Sequence, residues 1–187
     1  MEENVSSLEM TKKTLQSVLT RVGQGMSNLR NIDTFLDLIV ETMTEALFGK
    51  KGFLLLIDKK NKALMVKTVY GASLKDFDKK YFSLETSPFA PAINARTALI
   101  IPKMQYLSRG ESISDEAIEY PIICAPLQLH DEVLGVIAVS GRRTGSTFQE
   151  EEMALLLNLA TQTAIAIENS ELNQNADKTY FETLAAL

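Results

Sequence analysis

The sequence predicts an α+β domain with a central antiparallel sheet, flanked by a long helix at each end of the chain. Two pairs of apolar segments are each joined by a short polar turn, which is the pattern of a β-hairpin. Apolar side chains at helical spacing precede the first pair and follow the second. With 187 residues, 45% hydrophobic and 23% charged, the chain has the size and composition of one globular domain plus extensions.

The residue counts argue against several chemistries. One His and one Cys leave too few ligands for a His/Cys zinc site, and a single cysteine cannot form an internal disulfide. His130 is predicted in a solvent-exposed turn, which disfavours a haem ligand or a Ser-His-Asp triad. Paired carboxylates stay open, since the chain has 24 acidic residues, but the sequence places no two of them across a cleft. We therefore predict no metal site, no catalytic residue and no enzymatic activity.

The net charge of −5 is concentrated near the C-terminus, because residues 148–187 contain seven acidic side chains and one basic one. A basic stripe with interleaved aromatic residues is missing from the sequence, so we predict no nucleic-acid partner. The longest aliphatic run, from Phe53 to Ile57, is far shorter than the roughly 20 residues that cross a bilayer. The first ten residues are polar and acidic and do not resemble a secretory signal. These features predict a cytoplasmic protein without membrane insertion.

The first element is a helix over residues 6–32, with apolar side chains at alternating steps of three and four. Such a seam suits either a coiled-coil dimer or a helix that lies on its own domain, and the sequence alone does not separate the two. We predict a homodimer, and we assign residues 1–31 as a separate N-terminal helix. Its predicted contact residues are Leu8, Leu15, Val18, Val22 and Leu29.

A second helix is predicted from Asp33, whose carboxylate suits an N-cap, to a left-handed cap at Gly49. The first hairpin follows, with a polar turn over residues 59–62 and Gly71 after its second strand. In that strand Leu64, Val66 and Thr68 are predicted to share one face, because side chains alternate along a strand.

Residues 72–118 are predicted to be irregular, apart from short pieces. Pro88 and Pro91 favour a tight turn followed by a brief helix, and residues 97–102 read as a short strand. Irregular stretches of this length in a compact domain are more often functional than not.

The second hairpin turns at His130 and Asp131, between two strongly apolar strands. Thr147 and Glu150 then match a capping box at the start of the last helix, whose pattern runs on to Leu187. Residues 173–187 form its predicted linker part. Leu172, Tyr180 and Leu184 are its predicted contributions to the dimer interface.

The sequence PIICAPLQLHDEVLGVIAVSGRR and the closing AIAIENSEL resemble a GAF domain, and the resemblance covers residues 32–172. Its strongest part is the hairpin that contains Pro126, Leu127, Gly135 and Val136. The resemblance implies a GAF-like central antiparallel sheet with helices on one face, and a ligand held between the other face and the irregular segment. It also implies a module of a bacterial-type signal-transduction protein. If the chain is a fragment, an output domain would follow in cis, such as an HD-type phosphodiesterase, a diguanylate cyclase or a kinase.

Departures from the family's patterns restrict the ligand. Cyclic-nucleotide-binding members carry Asn-Lys where this chain has Ser140 and Gly141, although Phe148 and Glu152 keep the later spacing. Bilin attachment needs a cysteine in the irregular segment, whereas Cys124 lies in a predicted strand. Cyclic nucleotide and bilin are therefore disfavoured, haem is disfavoured by the exposed turn predicted for His130, and no cofactor is predicted.

The candidate pocket residues lie near strand ends and in the irregular segment, where the resemblance places a ligand. They are Thr68, Tyr70, Phe89, Ile93, Asn94 and Cys124. Each also fits interior packing, and the apolar neighbours of Cys124 suit a buried side chain better than a reactive thiol. We predict a sensory or regulatory module that binds an unidentified small molecule and signals through dimerising terminal helices. The alternative is a scaffold that dimerises and binds no ligand.

Overall fold

The computed structural model describes residues 32–73, 81–102 and 118–185, with side chains described as far as residue 173. The predicted contacts of Leu8, Leu15, Val18, Val22 and Leu29 lie outside the described residues, as do the side chains of Tyr180 and Leu184. The boundaries proposed at residues 31 and 172 stay predictions.

The described residues form three helices and six strands. The helices are α1 (Ile32–Ala46), α2 (Ala90–Ala95) and α3 (Glu150–Ala185). The strands are β1 (Gly49–Asp58), β2 (Ala63–Tyr70), β3 (Tyr81–Ser83), β4 (Leu99–Ile101), β5 (Ile122–Leu129) and β6 (Glu132–Arg142). All six strands belong to one antiparallel sheet in the order β3-β2-β1-β6-β5-β4, which confirms the predicted α+β class.

The two long helices pack on one face of this sheet, which we call the helix face. Apolar side chains of α1 and α3, such as Ile39 and Leu156, meet the sheet residues Leu54, Ile137 and Val139 in one buried cluster. The opposite face, which we call the cover face, packs against α2. The prediction of helices on one face is confirmed for α1 and α3, while the short α2 lies on the other side.

Gly49 does not end the first helix, contrary to the prediction. Helix α1 ends at Ala46, and the left-handed residue after it is Phe48, with φ of 51°. Gly49 is instead the first residue of β1, and a Cβ atom there would lie 2.1 Å from Cγ1 of Val139. The glycine is required by close packing between the strands and α1, not by a left-handed turn.

The predicted capping box at the start of α3 is displaced by two residues. The helix begins at Glu150, and the carboxylate of Glu152 accepts a hydrogen bond from the backbone N–H of Gln149 at 2.7 Å. Thr147 stays in the preceding loop, where its carbonyl oxygen accepts a hydrogen bond from Arg142 at 2.8 Å. Glu152 therefore accepts the capping-box hydrogen bond that was predicted for Glu150.

A β-bulge at Lys67 changes which face the end of β2 presents. Leu54 of β1 pairs with Thr68, but Leu55 pairs with Val66, so Lys67 is the extra residue. Leu64 and Val66 lie on the cover face, whereas Thr68 reaches α1 on the helix face. The prediction that Leu64, Val66 and Thr68 share one face is therefore wrong.

Helix α3 is 36 residues long and carries charged and polar side chains along its length. No helix among the described residues is both long and apolar enough to span a bilayer.

Candidate functional site

The cover face carries an aromatic cluster beneath α2. The ring centroids of Phe53 and Phe89 are 6.5 Å apart, and those of Phe82 and Phe89 are 6.0 Å apart with an edge-to-face angle of 83°. Phe53 and Phe89 are almost completely buried. The buried side chains that form this cover-face cluster are Phe53, Leu55, Leu64, Val66, Phe89, Ala92, Ile93, Ile101, Ile118, Ile122, Cys124, Val136 and Ala138.

Residues 84–98, which we call the cover segment, hold α2 against the sheet. Pro91 lies in the first turn of α2, where its missing N–H leaves no helical hydrogen bond unmade. The helix ends at Ala95, and the left-handed backbone of the C-cap residue Arg96 lets its N–H donate to the carbonyl of Ile93 at 3.3 Å. Because Phe89 and Ile93 are four residues apart, both side chains meet the sheet, and Asn94 is left exposed.

Ser87 is the unusual polar residue of the cover segment. Its side chain is buried in the turn before α2, and its hydroxyl oxygen has no hydrogen-bond partner among the described residues. The backbone is well held, since the Ser87 N–H donates to the carbonyl of Ser83 at 3.2 Å and its carbonyl accepts from Ala90 at 3.1 Å. Burying a hydroxyl without a hydrogen-bond partner costs about 1–3 kcal/mol of stability. A hydrogen bond from another molecule to the Ser87 hydroxyl would therefore be favourable.

Three of the six predicted pocket residues meet on the cover face, namely Phe89, Ile93 and Cys124. The Sγ atom of Cys124 lies 3.8 Å from the carbonyl oxygen of Leu99, and burial raises the pKa of the thiol to about 12. The thiol is therefore protonated at neutral pH, and its environment is that of a packed apolar side chain.

Thr68 and Tyr70 lie on the helix face instead, on the far side of the Lys67 bulge. The Thr68 hydroxyl donates to the carboxylate of Asp37 on α1. The Tyr70 hydroxyl donates to Glu45 at 2.9 Å, and Arg143 donates to the other oxygen of Glu45 at 2.7 Å. Hydrogen bonds from Arg143 and then Tyr70 lower the pKa of Glu45, and the same bond to Glu45 raises the pKa of Tyr70.

The six predicted residues therefore do not line one pocket. The bulge turns Thr68 and Tyr70 to the opposite side of the sheet, and Asn94 lies on the exposed side of α2. The sequence patterns did not indicate Phe53 and Phe82, which share the aromatic cluster with Phe89, or Ser87. The continuous apolar run around Phe53 could have indicated that this side chain is buried. The lack of a partner for the Ser87 hydroxyl depends on tertiary packing alone.

The end of β6 connects this face to the start of α3. The Ser140 hydroxyl accepts a hydrogen bond from the N–H of Glu119 and donates to its carbonyl, both at 2.7 Å. Two residues later, Arg142 donates to the Glu152 carboxylate at 2.7 Å, in a pair that is largely buried. The Arg142 guanidinium also lies 5.2 Å from the centre of the Phe148 ring.

A concave surface lies at the tip of the second hairpin. It is an open cleft of about 330 Å³ between His130–Glu132 and α3, with Leu134 and Glu168 in its walls. Within residues 32–73, 81–102 and 118–185, no three His, Cys, Asp or Glu side chains are grouped so that they could hold a metal ion.

The comparisons with known proteins agree with this architecture. The family model described as GAF domain matches residues 30–168. A GAF domain of a phosphoenolpyruvate-protein phosphotransferase from Coxiella burnetii superposes with a TM-score of 0.73 at 16% identity, over 87% of this chain and 98% of that one. A Geobacter sulfurreducens GAF domain/HD domain protein gives 0.64 at 14% identity, over 79% of this chain and 98% of that one.

An enzyme shares the fold as well. Free methionine-R-sulfoxide reductase from Neisseria meningitidis, in complex with its substrate, superposes with a TM-score of 0.68 at 14% identity, over 85% of this chain and 91% of that one. No curated protein matches the sequence. At these identities the structural likeness establishes the fold, and the family follows from the match over residues 30–168. The chain belongs to the GAF domain family, whose members are sensory and regulatory modules of signalling proteins.

Proposed function

We propose that this GAF domain is a non-enzymatic sensor that binds a small molecule between the cover face and the cover segment. The observation that carries the proposal is the buried, unpartnered hydroxyl of Ser87. A ligand with one hydrogen-bonding group would satisfy that hydroxyl and recover the free energy that its burial costs. The alternative, a permanently unsatisfied group, is uncommon in native proteins.

The cover-face cluster indicates the kind of ligand. Its side chains, Phe53, Phe89 and Ile93 among them, are apolar, and Phe82 packs against them. We expect an uncharged and mainly apolar molecule with a single polar group. The complete burial and high thiol pKa of Cys124 do not suit covalent attachment of a bilin or nucleophilic catalysis.

The proposed signal leaves the domain through the terminal helices of a homodimer. Ligand binding would shift the populations of two helix arrangements, which requires that the two arrangements bind the ligand with different affinity. Helix α3 supports this route, because it packs on the sheet at its start and its residues 171–173 are exposed. An output domain in cis, in a longer protein, would receive the change.

Native mass spectrometry of freshly purified protein tests ligand binding directly. We expect a bound small molecule in the parent protein and its loss in Ser87→Ala, which removes the buried hydroxyl without breaking a hydrogen bond of its side chain. Ser83→Ala is the matched control, because it removes an exposed hydroxyl in the same turn that caps the N–H groups of Glu85 and Thr86. Equal occupancy in the parent and Ser87→Ala would show that Ser87 does not anchor the ligand.

A dimerisation scaffold without a ligand is the second candidate, and one observation favours it. The cover-face cluster is closely packed, with Phe53, Phe89 and Ile122 all less than 2% exposed. If the parent protein carries no small molecule, and if a panel of uncharged aromatic and aliphatic compounds does not raise its melting temperature, the scaffold function is supported over sensing. A ligand-dependent rise in melting temperature would exclude it.

A further inference from the structure

Three consecutive residues at the end of β6 lie between the cover face and helix α3. Ser140, Gly141 and Arg142 contact the segment that leads into β5 on one side and the loop before α3 on the other. Ser140 is fully buried, and the Arg142 side chain is 12% exposed. Contacts this well buried hold the two regions at fixed positions relative to β6.

The segment before β5 is attached to β6 by four hydrogen bonds. Ser140 makes two of them with the backbone of Glu119, one as acceptor and one as donor. The N–H of Gly141 is shared between the carbonyl oxygens of Glu119 and Pro121, at 2.9 and 3.0 Å. The same segment also belongs to the cover face, because Ile118 is part of its cluster and Tyr120 packs against it. The hydrogen bonds of Ser140 and Gly141 therefore join β6 to a segment that is part of the cover-face cluster.

Arg142 connects β6 to the start of α3 through hydrogen bonds of its side chain. Its guanidinium donates to the carbonyl of Thr147 and to the carboxylate of Glu152, and Glu152 in turn caps the N–H of Gln149. The loop at residues 147–149 and the first turn of α3 are thus fixed by one side chain. A largely buried pair of this kind is expensive to break, because the remaining charge is left without a partner.

The backbone of Gly141 allows these neighbouring contacts to coexist. Its φ of 66° is left-handed, and a Cβ atom at this position would lie 3.1 Å from Cβ of Glu119 and 3.1 Å from Cδ of Lys50. Any other residue would be both strained and crowded, so the direct link between Ser140 and Arg142 depends on glycine.

We propose that Ser140, Gly141 and Arg142 are positioning residues that transmit a change in the cover face to the first turn of α3. This inference rests on the proposed sensory function, whose regulation it specifies. In this mechanism a ligand that displaces Ile118 and Glu119 also displaces Ser140. The hydrogen bond between Arg142 and Glu152 is then weakened or displaced. As a result, the first turn of α3 changes its orientation or frays.

The test replaces the unidentified ligand with a substitution in the cover face. Phe89→Leu loosens the aromatic cluster, and hydrogen exchange measured by mass spectrometry reports on the amides of residues 150–158. We expect Phe89→Leu to accelerate exchange in these amides by about fivefold, the lower end of typical coupling between sites. Ser140→Ala should remove this response, so that the amides exchange alike in Ser140→Ala and in the double variant. Asn61→Ala, which truncates an exposed side chain in the turn between β1 and β2, should leave the response intact.

An equal response to Phe89→Leu in the Ser140→Ala background would overturn the inference, as would no response in the parent background. Exchange in the amides of β1 corrects for changes in global stability. If Ser140→Ala does not fold, Arg142→Met gives the same test, because methionine keeps an unbranched side chain but cannot donate to Thr147 and Glu152. The experiment contains no ligand, so its result is independent of whether the search for a bound small molecule succeeds.

Discussion

At the scale of single residues, burial determines the chemistry of the described polar groups. Cys124 is fully buried on the cover face and carries a thiol pKa of about 12, compared with an ordinary value of 9.0. Ser87 is buried without a partner, whereas Ser140 is buried with both a donor and an acceptor. Similar side chains therefore have different roles, according to the groups that the fold places around them.

The first prediction concerns the reactivity of the thiol. We expect Cys124 to resist iodoacetamide and aromatic disulfide reagents at pH 8 in the folded protein and to react readily in denaturant, because only the thiolate is nucleophilic. The measurement is the rate of modification with and without 6–8 M urea or guanidinium. Rapid modification of the folded protein would contradict the burial of Cys124.

The second prediction concerns stability at alkaline pH. Burial raises the folded-state pKa, so the folded protein retains a thiol proton that the unfolded chain releases above about pH 9. Stability is then lost between about pH 9 and 12, by at most about 1.4 kcal/mol per pH unit. Cys124→Ala should show a shallower decline of the unfolding free energy over this range than the parent protein. Parallel declines in the two proteins would contradict the raised pKa.

At the scale of elements, the distance between α1 and β1 is set by glycine. A Cβ atom on Gly52 would lie 1.9 Å from Oγ1 of Thr44 and 2.9 Å from Cγ1 of Val40, both on α1. The Thr44 hydroxyl is itself bonded to the carbonyl of Val40 at 2.6 Å. The helix can lie this close to the sheet only because the strand lacks a side chain at this point.

The third prediction follows from that contact. Gly52→Ala should lower the free energy of unfolding by about 3 kcal/mol or more, because an overpacked methyl group forces α1 away from the sheet. Gly145→Ala is the control: its added Cβ meets no atom within 4 Å, and only its left-handed backbone, with φ of 72°, is strained. We expect a loss of about 1 kcal/mol there. Urea denaturation measures both, and an equal effect of the two substitutions would contradict the packing argument.

The elements also show what sequence patterns can and cannot predict. The hairpins, the turns at residues 59–62 and 130–131, and the short helix after Pro88 all follow from local signals and are confirmed. The bulge at Lys67 was not predicted, because nothing in the alternation of residues 63–70 marks an extra residue. Its consequence for the candidate site is large, since it separates Thr68 and Tyr70 from Phe89.

At the scale of the whole molecule, the predicted homodimer depends on residues beyond the sheet. The apolar seam of residues 6–32 and the exposed Leu172 on α3 are the features that support a homodimer. The identity of a ligand could not be predicted from the sequence, because it depends on which unsatisfied groups, such as Ser87, the packed fold leaves.

The fourth prediction tests this assembly. We expect the full chain to sediment as a dimer at micromolar concentration, and Leu15→Asp with Val22→Asp to convert it to a monomer, because a charge in an apolar seam is not solvated. Tyr81→Asp is the control, since Tyr81 is exposed on the edge strand β3 and should leave the dimer unchanged. A parent protein that sediments only as a monomer at high micromolar concentration would exclude the dimer.

The length of α3 has a consequence for any group joined to its far end. At 1.5 Å per residue its 36 residues extend about 54 Å, and each residue turns the chain by about 100° around the axis. The azimuth of an attached group is therefore set by the number of residues in between. Inserting one residue after residue 173 would swing that group by more than a quarter turn, whereas inserting seven would return it to within about 20° of its original bearing.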